Sequence, residues 1–112
     1  MPSTTSYNRG AVVLLPFPFS GQSAAKLRPA VVANPLHPSE DLIVVALSSV
    51  AGVLLPGECQ IQFWREAGLL RPSFVKRALA SVSASLVRRS LGHLHSTDLA
   101  KLEVALRTWL AL

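Results

Sequence analysis

The most constraining feature of this chain is a change of hydrophobic period near its end. Before residue 65 the apolar residues come in short runs, each stopped by Pro, Gly, Asn or Ser. "GAVVLLPF" (10–17), "PAVVAN" (29–34) and "DLIVVALSS" (41–49) read as strands. "GECQIQFW" (57–64) alternates Cys59, Ile61 and Phe63 with Glu58, Gln60 and Gln62, the period of a strand with one wet face. "SFVKRALASV" (73–82) holds one or two further short strands, and "SASLVRRSLG" a short helical turn before Gly92. Only the last stretch, "HSTDLAKLEVALRTWLAL", spaces Leu99, Leu102, Leu106, Trp109 and Leu110 by threes and fours. Ser96 or Thr97 caps that helix, Asp98 suits its N-terminal dipole, and Glu103 precedes Arg107 at i,i+4. Short strands followed by one helix predict a mainly β fold, a small barrel with an appended C-terminal helix. At 112 residues the chain makes one domain, 1–112, with residues 1–8 as a flexible tail.

Charge is more informative than its total of +5. Residues 1–39 hold no Asp or Glu but carry Arg9, Lys26 and Arg28. Residues 67–97 also lack acids and carry Arg71, Lys76, Arg77, Arg88 and Arg89. A fold that joins the two stretches makes a surface of one sign, suited to a polyanion. Half the residues are hydrophobic, so part of the surface is expected to be covered by a partner, most simply a second copy. The single Cys59 excludes an internal disulfide and fits a reducing cytoplasm. "LIVVALSSVAGVLL" (42–55) is shorter than the roughly 20 residues that span a bilayer, so no membrane segment is expected. His93 and His95 lack a third ligand nearby, and nothing calls for a metal or cofactor.

The sequence shows no Ser/His/Asp set, no paired carboxylates and no glycine-rich phosphate loop. The polar groups at strand ends are Arg28, Ser48 and Ser49, with Lys26, Lys76 and Arg77 similar in character. A guanidinium offers a planar fork of donors to phosphate oxygens, and Pro29 stiffens the chain beside it. A strand-end hydroxyl donates to a phosphate oxygen or accepts from a ribose. RNA brings its own nucleophile, the 2′-OH, so charge stabilisation at the phosphate speeds cleavage without a metal. The residues alone leave Arg28 between this role and that of an anchor on loop carbonyls. They likewise leave Ser48 between a phosphate contact and the satisfaction of a backbone group. Trp64 and Trp109 read as core or dimer contacts more readily than as stacking platforms.

"RGAVVLLPFPFSGQSAAKLRPAVV" (9–32), "DLIVVALSSV" (41–50), "GLLRPSFVKRALASV" (68–82), "LGHL" (91–94) and "DLAKLEVALRTWL" (98–110), in that order, resemble the MazF/PemK family of toxin–antitoxin toxins. The resemblance implies an SH3-like barrel with a C-terminal helix, usually homodimeric. It implies a metal-independent, sequence-selective endoribonuclease on single-stranded RNA that leaves a 2′,3′-cyclic phosphate and a 5′-hydroxyl. An antitoxin blocks the RNA groove in that family, and DNA is met only through the antitoxin complex. The implied catalytic residues are Arg28 and Ser48, with Ser20, Gln22, Lys26, Ser49, Lys76 and Arg77 on the RNA. The chain departs from the pattern at Ala11 and Gly21, where acids are common, and at Ser48, where Thr is common. A non-nuclease reading stays open: a topoisomerase-poisoning toxin, or a catalytically inactive RNA binder of the same fold.

Overall fold

The computed structural model describes residues 7–17, 26–50 and 52–112. Six strands form one antiparallel sheet: β1 (Ala11–Pro16), β2 (Leu27–Val32), β3 (Asp41–Ser48), β4 (Cys59–Gln60), β5 (Phe74–Ser83) and β6 (Arg89–His93). A 3-10 turn (Ala84–Leu86) precedes β6, and helix α1 (Ser96–Leu110) closes the chain. The strand order is β4-β5-β3-β2-β1-β6, and the sheet curls into a half-barrel. This is the expected architecture, mainly β with one C-terminal helix.

Alternation along the central strands builds a core on each face. Val13, Leu15, Val32 and Val44 are buried in one cluster, while Val12, Val31 and Val45 enter the other. The register makes this consistent across strands, because Val32 pairs with Val44 and Val31 with Val45. A slip of one residue would exchange the two sets, so burial on both faces pins the pairing. Helix α1 lays Leu99, Leu102, Leu106 and Trp109 on the second cluster. Burying Leu102 alone contributes about 2 kcal/mol of transfer free energy. Trp109 also donates from Nε1 to the Pro56 carbonyl at 2.9 Å, which ties the 49–58 connection to the helix.

Four features differ from the sequence reading. The predicted strand 57–64 ends at Gln60. The N–H groups of Gln62 and Phe63 are taken by the two carboxylate oxygens of Asp98, at 2.8 and 2.9 Å, so the chain turns where its alternation would continue a strand. Asp98 is thus a buried tie between α1 and the turn, rather than a dipole partner alone. The helical turn expected in 83–92 is the 3-10 turn at Ala84–Leu86, but the rest of that stretch is strand β6, since Arg88 N–H donates to the Leu14 carbonyl and the ladder with β1 follows. The helix cap is His95, whose Nδ1 accepts from Thr97 N–H, and Glu103 pairs with Arg9 instead of Arg107. Of the expected tail, residues 1–6 lie outside the described residues, and Tyr7 packs against the first core cluster.

The gap between edge strands β4 and β6 is covered by the turn at 62–68. Ala67 and Gly68 lie backbone-to-backbone on Leu91 and Gly92: a Cβ on Gly68 would sit 2.0 Å from the Leu91 carbonyl oxygen, and one on Gly92 2.5 Å from that of Ala67. Only a pair of glycines allows this approach. From Gly68 the chain runs directly into the wall of the cleft described next.

Candidate functional site

Strands β2 and β3 are paired as far as Ala30 and Ala46. The same register carried two residues further reaches Arg28 and Ser48, where the strand ends open around a cleft of about 520 Å³. Lys26, Arg28, Ser48 and Ser49 all line it. Leu47 and Leu69 are buried and Leu14 and Leu91 partly so, and they give it an aliphatic floor.

Arg28 is half-buried, and among the described residues no hydrogen bond or ion pair engages its guanidinium. Its cross-strand neighbour Leu15 is fully buried, so the side chain leaves from a backbone that packing holds still. Ser48 Oγ accepts from Val50 N–H at 3.1 Å. The hydroxyl therefore does satisfy a backbone group, and that bond fixes the oxygen while leaving its proton to be donated. Ser20 and Gln22 lie outside the described residues.

Lys76 and Arg77 stand on β5, away from the cleft lining. Lys76 Nζ is 3.1 Å from Glu58 Oε1, and the same carboxylate accepts from the N–H groups of Leu55 and Arg77 at 2.9 and 3.0 Å. Burial opposes ionisation of Glu58, but those hydrogen bonds and the Lys76 charge outweigh it and hold the carboxyl below its ordinary pKa. Glu58 is the clasp of the 49–58 connection. Burial pushes the neighbouring Cys59 thiol up, which keeps it protonated and out of nucleophilic chemistry.

Three further polar residues line the cleft without having been singled out from sequence: Arg71, Ser73 and Arg89. Arg71 and Arg89 belong to the acid-free stretch 67–97, which was their only signal. The cleft thus gathers Lys26, Arg28, Arg71 and Arg89, one from just before β2, one from β2, one from the 69–73 connection and one from β6. No carboxylate lines it. The ion pairs among the described residues are Arg9–Glu103, Lys76–Glu58 and Lys101–Asp98, so acids elsewhere neutralise other cations and leave these four uncompensated.

A curled antiparallel half-barrel with a docked helix and a cation-lined cleft at its strand ends defines a small, basic, mainly β single-domain protein. The chain belongs to the family of PemK-like, MazF-like toxins of type II toxin–antitoxin systems, whose family model matches residues 8–110. Three solved structures share the fold. An endoribonuclease in complex with its cognate antitoxin from a mycobacterial species is 16% identical with a TM-score of 0.74, covering 97% of each chain. The MazE–MazF complex of Deinococcus radiodurans is 18% identical with a TM-score of 0.74, over 97% of this chain and 99% of the other. Mycobacterium tuberculosis toxin MazF-mt6 is 17% identical with a TM-score of 0.67, over 91% of this chain and 97% of the other. No curated protein sequence matches the chain. No helix among the described residues is long and apolar enough to cross a membrane.

Proposed function

We propose that this toxin is a metal-independent endoribonuclease that cleaves single-stranded RNA in the Arg28–Ser48 cleft. The observation that carries this reading is the convergence of Arg28 and Ser48, from adjacent strand ends, in a cleft with four cations and no carboxylate. In the proposed reaction the ribose 2′-oxygen attacks phosphorus and the P–O5′ bond breaks. The 2′-OH proton leaves to solvent water, and the departing 5′-oxygen takes a proton from solvent. Negative charge grows on the phosphorus oxygens, and the Arg28 fork and the Ser48 hydroxyl donate to them. Lys26 and Ser49 hold the strand beside them. Ser20 and Gln22 are assigned to the RNA by the family resemblance alone, and Lys76 and Arg77 serve RNA only where it leaves the cleft.

The solved relatives in complex with an antitoxin support the same kind of partner here, and an acidic antitoxin segment suits the charge of this cleft. Val50, Val53 and Leu70 are 74%, 86% and 95% exposed, which supports burial of these side chains in a homodimer. The site of action is the cytoplasm, where its RNA substrate is found.

The test is a long single-stranded RNA incubated in excess EDTA, with the 5′ ends of the fragments mapped. Cleavage is expected with the wild-type chain, reduced at least about 100-fold by Arg28→Ala and absent when the cleaved nucleotide is 2′-O-methylated. Unchanged cleavage by a clean Arg28→Ala preparation overturns the assignment.

A further inference from the structure

Two arginines of the cleft have no part in the reaction just described. We propose that Arg71 and Arg89 form a second anion site in the same cleft, one that holds the phosphates flanking the scissile one on a single RNA strand. The inference rests on the ribonuclease reading of Arg28 and Ser48 and extends it to how the substrate is gripped.

Register supplies the first argument. Arg28 pairs with Leu15 on β1, and Arg89 pairs with Leu14 on the other side of that strand. Two strand spacings place their backbones about 10 Å apart. Leu14 and Leu15 face opposite ways on the pleat, so Arg28 and Arg89 enter the cleft from opposite faces of the sheet end. Forks arriving from two sides suit successive phosphates on one strand better than a single shared one.

Arg71 supplies the second. It lies on the 69–73 connection that lines the cleft, on a backbone that is held rather than loose. Ser73 is buried, and its hydroxyl donates to the Arg71 carbonyl at 2.9 Å. Leu69, two residues earlier, is buried as well. The Arg71 side chain is exposed on that anchored segment, and no ion pair among the described residues engages it.

Electrostatics supplies the third. Gathering four cations without a carboxylate costs stability through mutual repulsion, unless an anion enters. Among the described residues no aromatic ring lines the cleft, so the grip that these residues offer falls on the phosphates rather than on the bases.

The experiment uses the full chain and a 2′-O-methylated single-stranded RNA decamer, which binds without being cleaved. Affinity is measured across a salt series for the wild type and for Arg71→Gln, Arg89→Gln, Arg71→Lys, Arg89→Lys and Arg107→Gln, the last at the far end of α1. Each Gln variant in the cleft is expected to lower the slope of log affinity against log salt by about 0.7. The Lys variants and Arg107→Gln are expected to keep the wild-type slope. On cleavable RNA, the two Gln variants are expected to raise KM about tenfold with kcat within about threefold of wild type. Unchanged slopes in both cleft Gln variants, or an equal drop in Arg107→Gln, overturn the proposal. A wild-type chain that cuts no RNA, yet shows the slope loss in both variants, sinks the nuclease reading and upholds the anion site.

Discussion

Replacing Asp98 by alanine should loosen the cleft from behind. The carboxyl is almost fully buried and receives the N–H groups of Gln62 and Phe63 at 2.8 and 2.9 Å, with Lys101 Nζ at 3.6 Å. Removing it strands two donors at the point where the chain turns. Each orphaned donor costs about 1–3 kcal/mol, so the pair costs about 4 kcal/mol. Lys101 adds little, because its end of the pair is substantially exposed and solvent screens it. With a urea m-value of about 2 kcal/mol/M, the unfolding midpoint of Asp98→Ala should fall by about 2 M. Asp98→Asn keeps one acceptor and should lose about half as much. Lys101→Ala should move the midpoint by less than about 0.5 M. The readout is urea unfolding followed by circular dichroism and by tryptophan fluorescence, since Trp64 lies in the same turn and packs on the same core. A midpoint shift in Asp98→Ala no larger than that of Lys101→Ala would refute the tie as the source of the turn's position.

Other outcomes follow from the same geometry. Gly68→Ala should lower stability by more than about 2 kcal/mol, because a Cβ would meet the Leu91 carbonyl at 2.0 Å on a backbone with φ of +86°; a thermal melt equal to wild type would rule out the glycine contact. Glu58 has a depressed pKa, so its stabilisation is full above the ordinary value of 4.5 and is lost as pH falls through the folded value. Glu58→Gln should therefore flatten the acid limb of stability below about pH 4.5, and an acid limb identical to wild type would count against the clasp. Among the described residues no histidine, carboxylate, tyrosine or cysteine lines the cleft. RNA cleavage should therefore rise steadily with hydroxide from about pH 5.5 to about pH 8, whereas a bell-shaped profile would show an acid–base pair acting from outside it.

Much of the candidate site could be read before the fold was known, and the reason is chemical. Arg28 beside a proline at a strand mouth, and Ser48 at the end of the most apolar strand, are unusual residue types in their local settings. Their local settings survive folding, and both line the cleft. Arg71 and Arg89 sit in settings that look like ordinary surface, and only topology brings them to the same opening. Lys76 reads from sequence as a candidate RNA contact alongside Lys26, yet Glu58, 18 residues earlier, holds it away from the cleft.

Residue order by itself settled whatever depends on neighbours along the chain. The short continuous apolar runs of β1 to β3, the three-and-four spacing of α1 and the segregation of acids from bases are all local, and burial on one face or both enforces them. Tertiary structure decided what depends on partners far away. β4 stops after two residues because, one residue past it, the distant Asp98 carboxylate takes the N–H groups of Gln62 and Phe63. β6 is a strand because the free edge of β1 offers it carbonyls, although "RSLGH" has almost no strand propensity of its own. The four-cation cleft exists because the sheet curls, bringing cations that are distant in sequence to one opening and leaving every acid outside it.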